Sequence, residues 1–222
     1  AGLFLSNHWH WHMPFLAMAA LGLLGGVAIA WWMKPVADHL QLPQEHSAGM
    51  HLWHTVTESR YLLAFAMTAL VSTGGFMMMP FSSAFIAGNL GIGVDHLPTI
   101  YLITGLCTIV MGPLIGRASD SFGHLRVFLF GTALSILMVL IFTHLGPVPL
   151  AVVVVVNTVM FVGIFSRMGP FRAMVSSVPS LAQRGSFNAV SSSLQQLSGG
   201  IGAVIAGHIV VVQADQTIAH FD

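Results

Sequence analysis

A carboxylate stands between two arginines in one short segment, residues 112–126, which reads G-P-L-I-G-R-A-S-D-S-F-G-H-L-R. Asp120 lies close enough in sequence to pair with Arg117 or Arg126, or to cap the N-terminus of a helix. Two glycines one helical turn apart would let a neighbouring helix approach, and a third would allow a tight turn with positive φ. We predict a latch that holds two helices in one of two arrangements; an ordinary solvated turn is the alternative. The latch residues are Gly112, Gly116, Arg117, Asp120, Gly123 and Arg126.

Histidine is the other residue type dense enough for chemistry, with one cluster at residues 8–12 and another at residues 46–54. Either cluster could bind Zn²⁺ or copper in isolation. The membrane topology argued below places them on opposite sides of a bilayer, so they cannot form one site. We expect no metal and no cofactor. The sequence also has no nucleophile elbow, P-loop, zinc-protease or dinucleotide motif, so we expect no enzyme.

The elements that must position these residues are membrane helices. Only 6% of the 222 residues are charged and 55% are hydrophobic, whereas a soluble domain carries about 25% charged residues. A net charge of zero argues against nucleic acid as a partner. Six stretches are long enough to cross a lipid bilayer: about 14–33, 61–88, 98–116, 126–143, 148–175 and 187–212. We predict an all-α polytopic transmembrane helical bundle that forms a single domain over residues 1–222.

The basic residues give the orientation of the bundle. All seven lie in or beside one alternate set of the segments that join the spans, a distribution that indicates the cytoplasmic side. They are Lys34, Arg60, Arg117, Arg126, Arg167, Arg172 and Arg184. Residues 34–60 then form a long cytoplasmic central loop, in which Leu52, Trp53 and Val56 could line one face of a short interfacial helix.

The 112–126 segment resembles the signature loop of the major facilitator superfamily, which occurs between helices 2 and 3 and recurs between helices 8 and 9. Here it follows a long central loop and two further spans, so the chain resembles helices 6–11 of a twelve-helix transporter. Residues 166–196 resemble helices 10–11 of bacterial efflux-type permeases. The resemblance implies a half-transporter fragment in a bacterial inner membrane, with a six-helix N-terminal half missing. His124 and Leu125 replace basic residues often found in the loop, which suggests a weakened latch.

The resemblance also implies that helices 7, 8, 10 and 11 line a substrate cavity. The polar residues carried over to that lining are Ser72, Thr73, Thr104, Asn157, Thr158, Ser166, Arg167, Asn188, Ser192, Gln195 and Gln196. An unpaired amide in a Val-rich span is costly, so Asn157 either pairs with a neighbouring helix or touches substrate. Arg167 is either a cation that snorkels to the membrane surface or a contact to an anion or a gate.

We therefore expect a secondary active transporter that moves a small molecule outward, by proton antiport and alternating access. No acidic residue lies inside a predicted span, so a coupling carboxylate would have to lie in the missing half. The alternative is a non-transporting membrane module or truncated assembly partner that dimerises through its Gly-rich last helix. A metal permease is a third possibility.

Overall fold

The structure, a computed structural model, describes residues 10–33, 48–180, 183–213, 217–219 and 221. As predicted, it is an all-α helical bundle; its only described strands are a short pair near the end of the chain. The chain divides into two compact units, Ala1–Ser47 and Ala48–Asp222. That both units belong to one domain stays a prediction.

The first unit contains helix α1, Met13–Trp32. Its 20 residues rise about 30 Å, the thickness of a hydrocarbon core. Pro14 occupies the first turn, where the missing N–H has no helical partner to lose. Trp31 and Trp32 end the helix, as expected for anchors at the boundary of a membrane.

The second unit begins with helix α2, Ala48–Thr57, in the predicted central loop. Trp53 and Val56 are exposed on it, whereas residues 34–47 of that loop lie outside the described part. Helix α3, Ser59–Met78, follows directly, and helix α4 covers Ser82–Gly88. The span predicted at 61–88 is thus broken at Pro80, whose ring cannot continue the helix.

Helix α5, Leu97–Phe122, follows a 3₁₀ turn at Val94–His96. It extends six residues past the predicted end at 116, so Arg117 and Asp120 are in its last turns and were wrongly placed in a loop. Gly123 alone separates α5 from helix α6, His124–Thr143. It adopts φ +92°, the positive value expected of it, and this conformation ends one helix and begins the next.

Helix α7, Leu150–Ser176, and helix α8, Arg184–Ile209, complete the bundle. After α8, strand β1 at Val211–Val212 pairs antiparallel with strand β2 at Ile218–Ala219. Asn89, just after α4, fixes β2: its Nδ2 donates to Ile218 O at 2.8 Å, and its Oδ1 accepts from Ile218 N at 2.7 Å.

Five segments of the described chain are helical, long and apolar enough to cross a membrane: Met13–Trp32, Ser59–Gly88, Val94–Phe122, His124–Thr143 and Leu150–Ser176. The sixth predicted span coincides with α8, which is 26 residues long. It is not among the five because serine, glutamine and glycine dilute its apolar residues. A count of six spans stays a prediction.

Two hydrophobic clusters lie at opposite ends of the second unit. One gathers the start of α5, the end of α6, the start of α7, α4 and β2 around buried Ile86, Ile100 and Phe142. The other joins the starts of α3 and α8, where Phe65 and Phe187 stack with ring centroids 5.0 Å apart. Five arginines lie at or near the helix ends distant from the first cluster, namely Arg60, Arg117, Arg126, Arg172 and Arg184. The structure thus collects basic residues at one end; that this end is cytoplasmic stays a prediction.

Candidate functional site

A buried polar group joins α5 to α7 inside their apolar spans. Asn157 Nδ2 donates to Thr104 Oγ1 at 2.9 Å, and Thr104 Oγ1 lies 3.2 Å from Thr158 Oγ1. Asn157 is 0% exposed and Thr104 is 3% exposed. Thr104 and Asn157 occupy equivalent positions near the starts of two parallel helices, so the bond holds those helices in register. Of the two alternatives for Asn157, the structure shows the pairing with a neighbouring helix; contact with a substrate stays a prediction.

This polar group is incomplete, because buried Asn157 Oδ1 has no hydrogen-bond partner among the described residues. Reversing the amide would let Thr104 donate to Oδ1, but Nδ2 would then lose its partner. Either orientation therefore leaves one end of a fully buried amide unsatisfied. An unsatisfied polar atom in such a place costs free energy, so it marks a position where a further polar partner would be stabilising.

The contact between α6 and α7 is made by small residues on both helices. A methyl group at Gly131 would lie 2.6 Å from the backbone carbonyl carbon of Ser166 and 2.7 Å from Arg167 N. One turn away, a methyl group at Gly163 would lie 3.0 Å from Ser135 Oγ. The two backbones therefore approach closely, and side chains rooted on this stretch of α7 have a fixed origin. Sequence reasoning missed Gly131, Ser135 and Gly163, although their small-residue spacing could have revealed them.

Ser166 and Arg167 lie at this contact and carry unused hydrogen-bonding capacity. Pro170 has no N–H, so the carbonyl of Ser166 lacks its usual helical donor. Arg167 is partly buried, and its buried Nε has no hydrogen-bond partner in the part of the chain that the structure describes. The predicted lining residues of α7 therefore include a side chain whose charge the structure leaves uncompensated.

The predicted lining residues of α3 lie at its contact with α8. Ser72 is buried and donates to Thr68 O of its own helix at 2.7 Å. Thr73 Oγ1 lies 2.9 Å from Ala69 O and 3.4 Å from Ser198 O. These hydroxyls are satisfied locally, so they are weaker candidates for a substrate contact than Asn157.

The predicted lining residues of α8 are more exposed than those of α3. Asn188, Ser192 and Gln196 are exposed, and Gln195 is partly buried. Ser191, which sequence reasoning missed, has a buried Oγ that no described residue meets with a hydrogen bond. The predicted lining therefore falls on two helix groups, α3 with α8 and α5 with α7, and no hydrogen bond among these residues links the groups.

Of the latch residues, Arg117, Asp120, Gly123 and Arg126 lie at or near the junction of α5 and α6, whereas Gly112 and Gly116 lie earlier on α5. Arg117, Asp120 and Arg126 are exposed. No ion pair joins Asp120 to either arginine in the described chain. A methyl group at Gly112 or Gly116 would meet nothing within 4 Å. The close helix approach expected there is therefore absent from the described residues, since α5 packs on α7 nearer its start.

A different pair bridges the junction between the two helices. Ser119 Oγ of α5 lies 2.6 Å from His124 Nδ1 at the first residue of α6. Ser119 is 5% exposed, so the pair is partly shielded from water. Sequence reasoning treated His124 only as a departure from the loop pattern and did not identify its partner.

These observations describe apolar helices with a few buried polar side chains and a basic end. The sequence profile described as Major Facilitator Superfamily matches residues 1–210. The chain belongs to the major facilitator superfamily. No curated protein and no solved structure matched it.

Membership of the major facilitator superfamily makes this protein a membrane transporter. A small-molecule substrate and the lipid bilayer are the partners that this membership implies. Members are transporters rather than enzymes. Within the described residues, no group of three His, Cys, Asp or Glu side chains is placed to hold a metal ion. Half of the six clustered histidines fall outside those residues: His8 and His46 are not described, and neither is the side chain of His51.

Proposed function

We propose that this chain is the helix 6–11 part of a secondary transporter that exports a small molecule in exchange for protons. Its helices 7–11 would work by alternating access against a six-helix N-terminal half, of which helix 6 is the last helix. The protein would lie in the inner membrane of a bacterium, with its arginine-bearing end in the cytoplasm. Membership of the superfamily supports the transporter class. The substrate, the direction of transport, the coupling ion, the N-terminal half, the bacterial inner membrane and the cytoplasmic side are all proposals.

The observation that carries the proposal is the incomplete polar group of Thr104, Asn157 and Thr158. A buried amide inside an apolar span is costly unless its hydrogen bonds are made. One end of the Asn157 amide is unsatisfied in this arrangement. In an alternating-access cycle, α5 and α7 would present this amide to a substrate in one state and shield it in another. The free-energy cost of the unsatisfied Asn157 amide is then offset only when substrate is bound.

Proton coupling needs a group that titrates within the transport path. The described acidic residues, Glu58, Asp95 and Asp120, all lie at or near helix ends rather than in the middle of a span. We therefore place the coupling carboxylate in the N-terminal half. The role of the present chain would be to bind substrate and to rearrange at the α5–α6 junction, near the latch residues.

The test is flux by the full-length protein in liposomes with an imposed pH gradient. Compounds from a resistance screen would be assayed for gradient-driven movement, with parallel measurement of proton flux. Replacing Asn157→Leu, which keeps a similar volume and removes the amide, should lower flux about two- to tenfold if one hydrogen bond between uncharged groups is lost on binding.

Thr108→Val is the matched control. Thr108 lies one turn from Thr104 on α5, and its Oγ1 donates only to Gly105 O of its own helix, at 2.8 Å. It should transport like the unmodified protein. Absence of gradient-driven flux for every compound would refute the transport proposal, and full flux in Asn157→Leu would remove the amide from it.

A further inference from the structure

Arg167 differs from every other arginine of the chain in its burial. Arg60, Arg117, Arg126, Arg172 and Arg184 are exposed, whereas Arg167 is partly buried and its Nε is inaccessible to water. Nine residues of α7 follow it before the helix ends at Ser176. Its backbone N would lie 2.7 Å from a methyl group at Gly131, so the root of the side chain is held against α6.

The described chain supplies no negative charge to this guanidinium. No ion pair involves Arg167, and its Nε has no hydrogen-bond acceptor. A cation withdrawn from water inside a membrane protein is costly unless it is paired, and such residues mark ion or substrate pathways. The unused atom is also informative, because Nε and one terminal nitrogen form the edge of a guanidinium that grips two oxygens at once.

We infer that Arg167 binds the anionic group of the transported molecule, so that the substrate class is organic anions bearing a carboxylate or a phosphate. This inference rests on the proposed transport function and adds the charge of the substrate to it. In a state of the transport cycle that exposes the edge of the guanidinium buried here, Arg167 donates two parallel hydrogen bonds, from Nε and from one terminal nitrogen, to two oxygens of the anion. Gly131 keeps α6 close enough to hold the arginine in place.

Binding to the full-length protein tests the inference, with probes that differ mainly in charge. Benzoate and phenyl phosphate are the anions, benzamide and benzyl alcohol are uncharged comparisons, and benzylamine is the cation. Binding is read as the probe concentration that gives half of the maximal rise in the midpoint of thermal unfolding. Flux of each probe is measured in liposomes under a pH gradient.

Arg167→Lys is the decisive variant, because it keeps the positive charge and loses the two-pronged edge. Arg172→Lys is the control on the same helix, where the side chain is exposed. We expect an anionic probe to bind the unmodified protein and Arg172→Lys alike. For Arg167→Lys, the probe concentration that gives half of the maximal rise in the unfolding midpoint should be at least about tenfold higher. This is the loss of affinity expected for one charge-assisted hydrogen bond.

The same anion chemistry could come from a lipid headgroup, so flux is compared in phosphatidylcholine liposomes with and without phosphatidylglycerol. A defect of Arg167→Lys in both lipids supports a substrate contact; a defect that appears only with phosphatidylglycerol overturns it. The inference also fails if no anionic probe binds, or if an anion binds Arg167→Lys as well as the unmodified protein. If only uncharged or cationic probes show gradient-driven flux, the inference about Arg167 is wrong and the transport function still holds. If no probe shows gradient-driven flux, both the inference and the transport function are refuted.

Discussion

Asn157 donates a hydrogen bond to Thr104 across 2.9 Å, and this bond links α7 to α5 inside two apolar helices. Thr104 is shared, since its Oγ1 also lies 3.2 Å from Thr158 Oγ1. The bond therefore has two consequences. It fixes the register of two parallel helices, and it leaves the other end of the amide available to a further partner.

Thr104→Val should destabilise the protein, because it removes the acceptor of Asn157 and leaves the whole amide unpaired. We expect a loss of about 1 kcal/mol, typical of hydrogen bonds between membrane helices, measured as a lower midpoint of thermal unfolding in detergent. Thr108→Val, whose hydroxyl bonds only within α5, should unfold at the original midpoint. Equal effects of the two substitutions would mean that the bond between the helices adds nothing to stability.

Gly202→Ala should weaken the contact between α8 and α3. A methyl group there would lie 2.8 Å from Thr73 O, which is backbone and cannot rotate away. Forcing the helices apart should cost about 1–3 kcal/mol. Gly200→Ala, two residues earlier, meets nothing within 4 Å and gains helix propensity. The midpoint of thermal unfolding should therefore fall for Gly202→Ala and rise for Gly200→Ala. A shift in the same direction for both would contradict the close contact of Gly202 with α3.

The same glycines bear on the alternative of a module that dimerises through its last helix. Gly199 and Gly202 already pack on Phe76 and Thr73 of α3. Gly200 faces open space. The glycines at 199 and 202 on α8 therefore serve close packing within the chain.

Asn89→Ala should release β2 from α4. Both hydrogen bonds to the backbone of Ile218 disappear, at a combined cost of about 1–3 kcal/mol to the local structure. Hydrogen exchange followed by mass spectrometry should show faster exchange in the strands Val211–Val212 and Ile218–Ala219 while α6 and α7 are unchanged. Asn89→Asp keeps an acceptor for Ile218 N but loses the donor to Ile218 O, so its exchange should be intermediate. Unchanged exchange in Asn89→Ala would show that packing alone holds the strand.

Sequence reasoning located the helices well because apolar length and turn residues act locally. Pro80 breaks the span that it interrupts, and Gly123 has the positive φ predicted for it. Sequence reasoning misplaced the end of α5, because the polar composition after Gly116 was taken as the end of the helix. No proline or glycine lies between Gly116 and Gly123, so the helix continues to Phe122.

Packing partners were harder to predict, because they depend on which helices become neighbours. Gly112 and Gly116 have the spacing of a close contact but face open space, whereas Gly131 makes such a contact. The burial of Asn157 could be anticipated from its apolar neighbours in sequence. Its partner Thr104 could not, because 53 residues separate them and only the fold brings them together.

The latch at the α5–α6 junction yields the last prediction. In this arrangement, Asp120 is exposed and forms no ion pair with the described arginines. A latch role therefore requires a second arrangement in which Asp120 meets Arg117 or Arg126. Asp120→Asn should lower gradient-driven flux several-fold by removing a charge-assisted bond made only in that second state. Expression and the midpoint of thermal unfolding should be unchanged, because the carboxylate makes no bond in the state described here.

Asp95→Asn is the control, since it neutralises an exposed carboxylate in the 3₁₀ turn before α5, far from the junction. Its flux should equal that of the unmodified protein. If Asp120→Asn transports normally, the segment is an ordinary solvated turn. If both variants lose flux together, the effect reflects surface charge in general. A loss confined to Asp120→Asn leaves the exchange of ion pairs at this junction as the step that the substitution slows.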